Sequence, residues 1–394
     1  MDAFPSCLAC GAASPRSFYA VGSIPVHSCV LVETREAALA FPRGDLELAV
    51  CDRCGFIQNG KFDLGRLDYS GEYEETQGFS PRFRRFLDEV CADQITRHEL
   101  AGKTLLEVGC GKGEFLAALC ERAGCHGIGI DPAYRPDRLE SAAAARLSFV
   151  RDRFDASYGP ITADYVCCRH TLEHIPDVGS FLRLLRDGIG DRRDVALFFE
   201  LPDTERVLAE CAFWDIYYEH CSYFTPGSLA RLFRRAGFEV TRQWKAFDAQ
   251  YLMLEARVAE HAAAASPDDA ADVADIGRRV DAFAAAVARK LDQLRTAVRD
   301  WQAAGKTVVV WGSGSKSVGY LTTLGLGEEI AAVVDINPHK HGKYQAGSGH
   351  QIVGPDALLD IRPDVVVVMN PIYVDEIRAD LERRGLTPEL TALG

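Results

Sequence analysis

The feature that most constrains this fold is a unit that occurs twice: an apolar strand, a glycine-rich turn, then a helix. The first copy is Lys103-Thr104-Leu105-Leu106-Glu107-Val108-Gly109-Cys110-Gly111-Lys112-Gly113-Glu114-Phe115-Leu116. The second is Thr307-Val308-Val309-Val310-Trp311-Gly312-Ser313-Gly314-Ser315-Lys316-Ser317-Val318-Gly319. Apolar runs without polar alternation predict strands buried on both faces, as in a parallel sheet covered by helices. Further strands are expected at 126–130, 147–150, 163–168 and 195–200, with a final pair near 239–245 and 250–256. Strands at 331–335 and 364–369 belong to the second copy. The fold class is therefore α/β, with a doubly wound central domain and a smaller unit of the same kind behind it. A chain of 394 residues is too long for one ordinary core. The expected division is 1–75, 76–258, a linker and bridging helix over 259–304, and 305–394.

The first turn carries ligand signals. Gly109, Gly111 and Gly113 let backbone approach a ligand at the helix start. Asp131 ends the second strand, 18 residues past Gly113, where an acidic side chain grips ribose hydroxyls. No Lys-Ser/Thr pair follows to clamp a phosphate, and Glu107 precedes the turn. This set favours S-adenosylmethionine over a dinucleotide, the other reading of such a turn. The turn resembles that of class I methyltransferases. The resemblance implies that Asp152 meets the adenine and that the loop Arg169-His170-Thr171-Leu172-Glu173-His174 lies beside the methyl donor. His170 would then sit nearest the donor. His174, one helical turn on, would face the same side.

Two CxxC knuckles stand in the amino-terminal segment, Cys7-Leu8-Ala9-Cys10-Gly11 and Cys51-Asp52-Arg53-Cys54-Gly55. Four thiolates so spaced predict a closed tetrahedral zinc site of structural type. His27 and Cys29, between the knuckles, read as core residues. The stretch from Asp68 to Pro81 mixes aromatic groups with turn residues and reads as a lid or an interdomain connector.

The densest chemistry is Phe213-Trp214-Asp215-Ile216-Tyr217-Tyr218-Glu219-His220-Cys221-Ser222-Tyr223-Phe224. Neither a solvated loop nor a plain core strand has a use for this mixture, so it predicts a pocket wall with an ionisable group. His220 is its side chain suited to base work near neutrality, with Glu219 or a tyrosine to orient it. In the tail, apolar residues at helical spacing from Ile276 to Trp301 predict a packing helix between domains or in a dimer. Gly312, Gly314 and Lys316 suit a phosphate at a helix start, and Asn370 ends a later strand at the same edge.

Taken together, the chain resembles the three-part, zinc-containing C-methyltransferases that act on nucleotide-linked keto-deoxysugars. Tyr217-Tyr218-Glu219-His220 with Tyr223 is similar to the family's Tyr-His-Glu-His-x-x-Tyr. The resemblance implies that His220 is the base, with Tyr217 and Glu219 beside it, His174 near the substrate and Tyr73 as a lid tyrosine. It also implies substrate contacts from Tyr218, Tyr223 and Asn370. The expected activity is deprotonation next to a ketone, then methyl transfer from S-adenosylmethionine to carbon. The alternatives are C- or O-methylation of a non-sugar metabolite and, from another class, a non-catalytic nucleotide-sugar-binding protein. The net charge of −13 argues against nucleic acid or an anionic membrane as partner. The thirteen cysteines, several inside apolar patterns, fit a reduced cytoplasmic protein, monomeric or dimeric. No secretory signal or membrane span is expected.

Overall fold

The computed structural model describes residues 6–67, 73–261 and 266–394. The part of the expected lid from Asp68 to Glu72, the alanine run 262–265 and the first five residues lie outside them.

The central sheet has seven strands. In spatial order they are Leu147–Val150, His126–Ile130, Thr104–Val108, Tyr165–Arg169, Ala196–Pro202, Tyr251–Val258 and Phe238–Ala246. The first five are parallel; the last two join antiparallel. The order reverses beside Thr104–Val108, so a crevice opens at the carboxyl ends of that strand and of Tyr165–Arg169, where such sheets hold ligands. The tail carries five parallel strands in the order Ile352–Val353, Ala332–Val334, Val308–Trp311, Val365–Val368 and Glu389–Ala392. This is a second Rossmann-like unit. The inner strands of both sheets, such as Tyr165–Arg169, Ala196–Pro202, Val308–Trp311 and Val365–Val368, are buried on both faces, as their unbroken apolar runs require.

The amino-terminal segment forms a small antiparallel sheet from Arg16–Pro25, Arg43–Val50 and Ile57–Asn59. Its fourth strand is Ser222–Tyr223, from the aromatic stretch of the central domain. A short pairing of Leu31–Val32 with Tyr344–Gln345 fastens the same segment to the tail. All three parts therefore meet at the aromatic stretch.

The helix Asp269–Ala303 runs across this junction. Its Ile276, Val280, Phe283, Val287 and Val298 share one core cluster with Tyr19 and Leu48 of the amino-terminal sheet, Trp214 and Tyr218 of the aromatic stretch, and Val308 and Tyr320 of the tail. Among the described residues no helix is long and apolar enough to cross a membrane.

The tail helix Ser315–Leu324 packs closely against the backbone of Trp214. A Cβ placed on Gly319 would lie 3.0 Å from the Trp214 carbonyl oxygen. Gly319→Val should therefore cost about 1–3 kcal/mol through overpacking against backbone that cannot yield, measured as a fall in the calorimetric unfolding temperature.

Candidate active site

The carboxyl ends of the two parallel sheets face one cavity of about 960 Å³. Glu107, Gly109, Gly111, Asp131 and Asp152 border it from the central domain, as do Arg169, His170 and His174. Tyr73, Tyr217 and His220 border it from the lid segment and the aromatic stretch. Gly312, Gly314, Lys316 and Asn370 border it from the tail. Gly113, Tyr218, Glu219 and Tyr223 do not.

The first turn is braced from two sides. Gly109 has φ +73°, and a Cβ there would fall 2.0 Å from Thr171 Oγ1, so only glycine lets the turn approach the histidine loop. Asp131 accepts from the Gly111 amide at 2.8 Å and from the Ala133 amide at 2.6 Å. Asp152 is exposed at the rim and accepts from the Arg153 amide. Glu107 is buried, and its Oε2 has no hydrogen-bond partner among the described residues. Burial pushes its pKa up to about 8, against the pull of Arg169.

The histidine loop is tied to carboxylates. Arg169 makes a two-pronged pair with Glu200, both contacts at 2.8 Å. His170 takes a left-handed backbone conformation, φ +46°. Its Nε2 lies 2.8 Å from Glu200 Oε1 and its Nδ1 3.7 Å from Glu173 Oε1. Burial opposes its charge, but Glu173 and Glu200 lift its pKa to about 9. The charges of Arg169 and His170 are therefore matched inside the protein.

His220 packs among rings. Its centroid lies 4.7 Å from that of His174, 4.9 Å from that of Tyr217 and 5.9 Å from that of Tyr223. Burial, with His174 beside it, lowers its pKa to about 4, so the imidazole is neutral and has a lone pair to offer. Glu219 is turned away from it. That carboxylate accepts from the Ser28 amide at 3.0 Å, the Ser28 hydroxyl and the Tyr73 hydroxyl at 3.2 Å, with His27 Nδ1 also at 3.2 Å. Burial works against the charge, yet His27, His174 and Ser28 hold the carboxyl down to about 2. Tyr217 donates to Asp215 at 2.9 Å.

Tyr218 and Tyr223, expected to touch substrate, sit elsewhere. The Tyr218 ring lies over Gly44, and its hydroxyl bonds backbone at Lys61 and Asp63. The Tyr223 hydroxyl bridges the backbone of Tyr217. Both are buried in the junction core. The motif is a turn, closed by the His220 amide on the Tyr217 carbonyl, followed by the short strand Ser222–Tyr223, and a chain that reverses this way sends its rings in different directions.

The lid segment from Tyr73 lies across both Rossmann units. Lys112 donates to the Tyr73 carbonyl at 2.7 Å and pairs with Glu75 at 3.1 Å. Glu74 bonds Arg138 of the central domain at 2.6 Å and Asn337 of the tail at 3.0 Å. In the tail, Lys316, expected to meet a phosphate, pairs with Asp215 at 2.6 Å. Arg206 completes that cluster, and the two cations hold the Asp215 pKa at about 2 despite its burial. Asn370 exchanges two amide hydrogen bonds with Gln250, each 2.9 Å.

The four cysteine sulfurs converge. The Sγ atoms of Cys7 and Cys54 are 3.6 Å apart, as are those of Cys10 and Cys51, and all four lie within 4.8 Å of one another. The glycine amides of Gly11 and Gly55 close both knuckles onto Cys7 and Cys51.

Sequence reasoning missed several groups here. His27 is buried, as expected, but it also meets Glu219, and Cys29, expected to be core, borders the cavity. Glu173, Glu200 and Asp215 were not singled out. The signal was a carboxylate beside a histidine, at a strand end or within the aromatic stretch.

Comparison with known proteins agrees with this geometry. The family model for a methyltransferase domain matches residues 83–243, and that for a C-methyltransferase C-terminal domain matches residues 255–385. C-methyltransferase NovU of Streptomyces niveus is 28% identical over 396 residues, covering 94% of this chain and 90% of that protein. By these matches the protein is a methyltransferase, with a tail of the kind found in C-methyltransferases. A ubiquinone biosynthesis O-methyltransferase of Saccharophagus degradans matches a shorter part of this methyltransferase, 28% identical over 44% of the chain and 76% of the relative. Among solved structures, 1,6-didemethyltoxoflavin-N1-methyltransferase of Burkholderia thailandensis is 20% identical, covering 44% of this chain and 78% of its own, with a TM-score of 0.34.

Glu107 and His170 have pKa values raised above their ordinary ones. Each therefore contributes stability that is full below the ordinary value and lost as pH rises through about 8 and about 9 respectively. The ligand-free methyltransferase should lose unfolding temperature progressively as pH rises, Glu107 contributing from its ordinary value of 4.5 up to about 8 and His170 from 6.5 up to about 9, and Glu107→Gln should flatten the part below pH 8. Scanning calorimetry across that range checks both.

Proposed function

We propose that this enzyme methylates the carbon next to the ketone of a nucleotide-linked keto-deoxysugar. The observation that carries the reading is the single cavity bordered by both glycine turns and by His220. Its volume is at the upper end of the ~300–1,000 Å³ usual for one small ligand, which leaves room for a methyl donor and a large acceptor together.

The residues present fit S-adenosylmethionine. Gly109 and Gly111 leave the turn open, and Asp131 and Asp152 offer carboxylates. The buried, unpartnered Glu107 oxygen at the cavity wall suits a cationic ligand, which would restore its charge. When bound, S-adenosylmethionine supplies a methyl made electrophilic by its sulfonium. His220 takes the proton next to the ketone, and the C–H electron pair stays on the substrate as an enolate. His174 and Tyr217, at the same wall, are the groups that position the ketone oxygen. Tyr73 borders the site itself and is held there by its bond to Glu219. At the tail end, Gly312, Gly314 and the start of the Ser315–Leu324 helix receive the nucleotide diphosphate. Lys316 shapes that end through Asp215, and Asn370 joins the tail to the central domain.

We also infer that the four cysteines hold structural zinc. A tetrahedron with ~2.3 Å metal–sulfur bonds has sulfur–sulfur edges near ~3.8 Å, close to the 3.6 Å pairs in this cluster. The other buried thiols fit a reducing, cytoplasmic setting. The purified protein should carry one zinc per chain by atomic absorption. Cys51→Ser should lower the zinc content and the unfolding temperature together; a fully folded protein without zinc would overturn the assignment.

The substrate reading is tested by mass spectrometry on a panel of nucleotide-linked 4-keto-deoxysugars in heavy water. Deuterium gain without the donor and methyl gain with it are expected for at least one sugar, with exchange slowed ~10²-fold or more in His220→Ala. Absence of both across the panel would move the acceptor outside this class.

A further inference from the structure

Glu219 stands next to His220 in sequence, but its oxygens are taken by His27, Ser28 and Tyr73. A different carboxylate faces the base. Glu173 is 2% exposed. Its Oε1 lies toward His170, 3.7 Å from Nδ1. Its Oε2 is buried and has no hydrogen-bond partner among the described residues. A carboxylate oxygen of Glu173 and one ring nitrogen each of His174 and His220 lie within 4.8 Å of one another. The backbone fixes this juxtaposition, because the Cys221 amide donates to the Glu173 carbonyl at 2.9 Å.

An unpartnered buried carboxylate oxygen is costly unless a donor appears during function. Proton transfer to His220 would create such a donor. We infer that Glu173 is the positioning residue of the base: its free oxygen orients His220 and stabilises the imidazolium formed when the substrate proton arrives. His170 steadies its other oxygen. This rests on the base role given to His220 above and assigns its supporting carboxylate to the histidine loop. Glu219 then serves the lid instead, linking Tyr73 to the His27–Ser28 loop.

The electrostatics agree. Desolvation and His174 push the His220 pKa down, and Glu173 is the foremost group raising it, ahead of Glu219; His170 lowers it further. Tyr217 and Tyr223 face the ring without charge. A base this depressed needs a countercharge to accept a carbon-bound proton near neutrality.

The test compares Glu173→Gln, Glu173→Asp and Glu219→Gln. The readouts are the pH profile of deuterium exchange into the responsive keto-sugar nucleotide, without donor, and the calorimetric affinity for S-adenosylmethionine. Glu173→Gln should slow exchange ~10²-fold and move the acid limb to lower pH, since a weaker base stays unprotonated further into acid. Affinity for S-adenosylmethionine should stay within about twofold, and Glu173→Asp should recover part of the rate and of the limb. Glu219→Gln should move the limb less. An unmoved limb in Glu173→Gln, or a larger shift in Glu219→Gln, would overturn the inference. If Glu173→Gln does not fold, the Glu173→Asp and Glu219→Gln limbs decide, with the larger shift again expected from position 173. If the wild type exchanges no substrate, the proposed acceptor fails separately. Histidine ring carbon-13 NMR then decides the Glu173 question without substrate: the His220 titration should fall in the position-173 variant by more than in Glu219→Gln, and equal or reversed shifts would overturn it.

Discussion

The structure depends on one buried charge, the carboxylate of Asp215. It sits inside the aromatic stretch, shielded from water, and can stay ionised only because Lys316 and Arg206 meet it there. Lys316 comes from the tail and Arg206 from the central domain, so satisfying this charge brings the two Rossmann units together. A buried pair adds little net stability, but a buried charge missing a partner costs several kcal/mol, about 3–5 by typical measurements. The arrangement therefore rejects other dockings more than it rewards this one. The close contact of Gly319 with Trp214 and the Asn370–Gln250 exchange set the same interface by shape and by hydrogen bonds.

This interface creates the cavity. Neither sheet encloses a site alone; each supplies the carboxyl ends of its strands. The histidine loop, the aromatic stretch and the lid segment line the space between. Charges there are mostly matched in advance: Arg169 and His170 by Glu200, Lys112 by Glu75, Arg138 by Glu74. Glu107 and Glu173, which border the cavity, each keep a buried oxygen without a hydrogen-bond partner among the described residues, as do several groups elsewhere, Gln345 and His350 among them.

Much of this was legible in the sequence. The two apolar strands with their glycine turns specify parallel sheets, because runs such as Val308-Val309-Val310 have no polar face to give to water. The knuckles specify a sulfur cluster by spacing alone. The division of labour inside the aromatic stretch was not legible. Tyr217 and His220 turn to the cavity while Tyr218 and Tyr223 turn to the core, and that is set by the turn closed by the His220 amide on the Tyr217 carbonyl and by the pairing of Ser222–Tyr223 with Ile57–Gln58 that follows it. Such a long-range pairing leaves no mark in local pattern. Lys316 misled for a similar reason, since its partner Asp215 lies 101 positions away. Glu219 was assigned to His220 by adjacency, but it sits within the turn from Tyr217 to His220, and its partners came from the loop at His27 and Ser28.

The same strand pairing has a consequence for synthesis. The amino-terminal sheet lacks its fourth strand until Ser222–Tyr223 has been made, about 160 residues after Ile57–Asn59, a wait of roughly ten to thirty seconds at ordinary translation rates. Until then the edge of Ile57–Asn59 stays unpaired and the apolar side of the first two strands stays uncovered, an open template for other chains. Closing the cysteine knuckles early would stiffen this half-built sheet during the interval. On the zinc reading proposed for the four cysteines, the metal would act first as a guardian of the nascent chain, and only later as part of the finished enzyme.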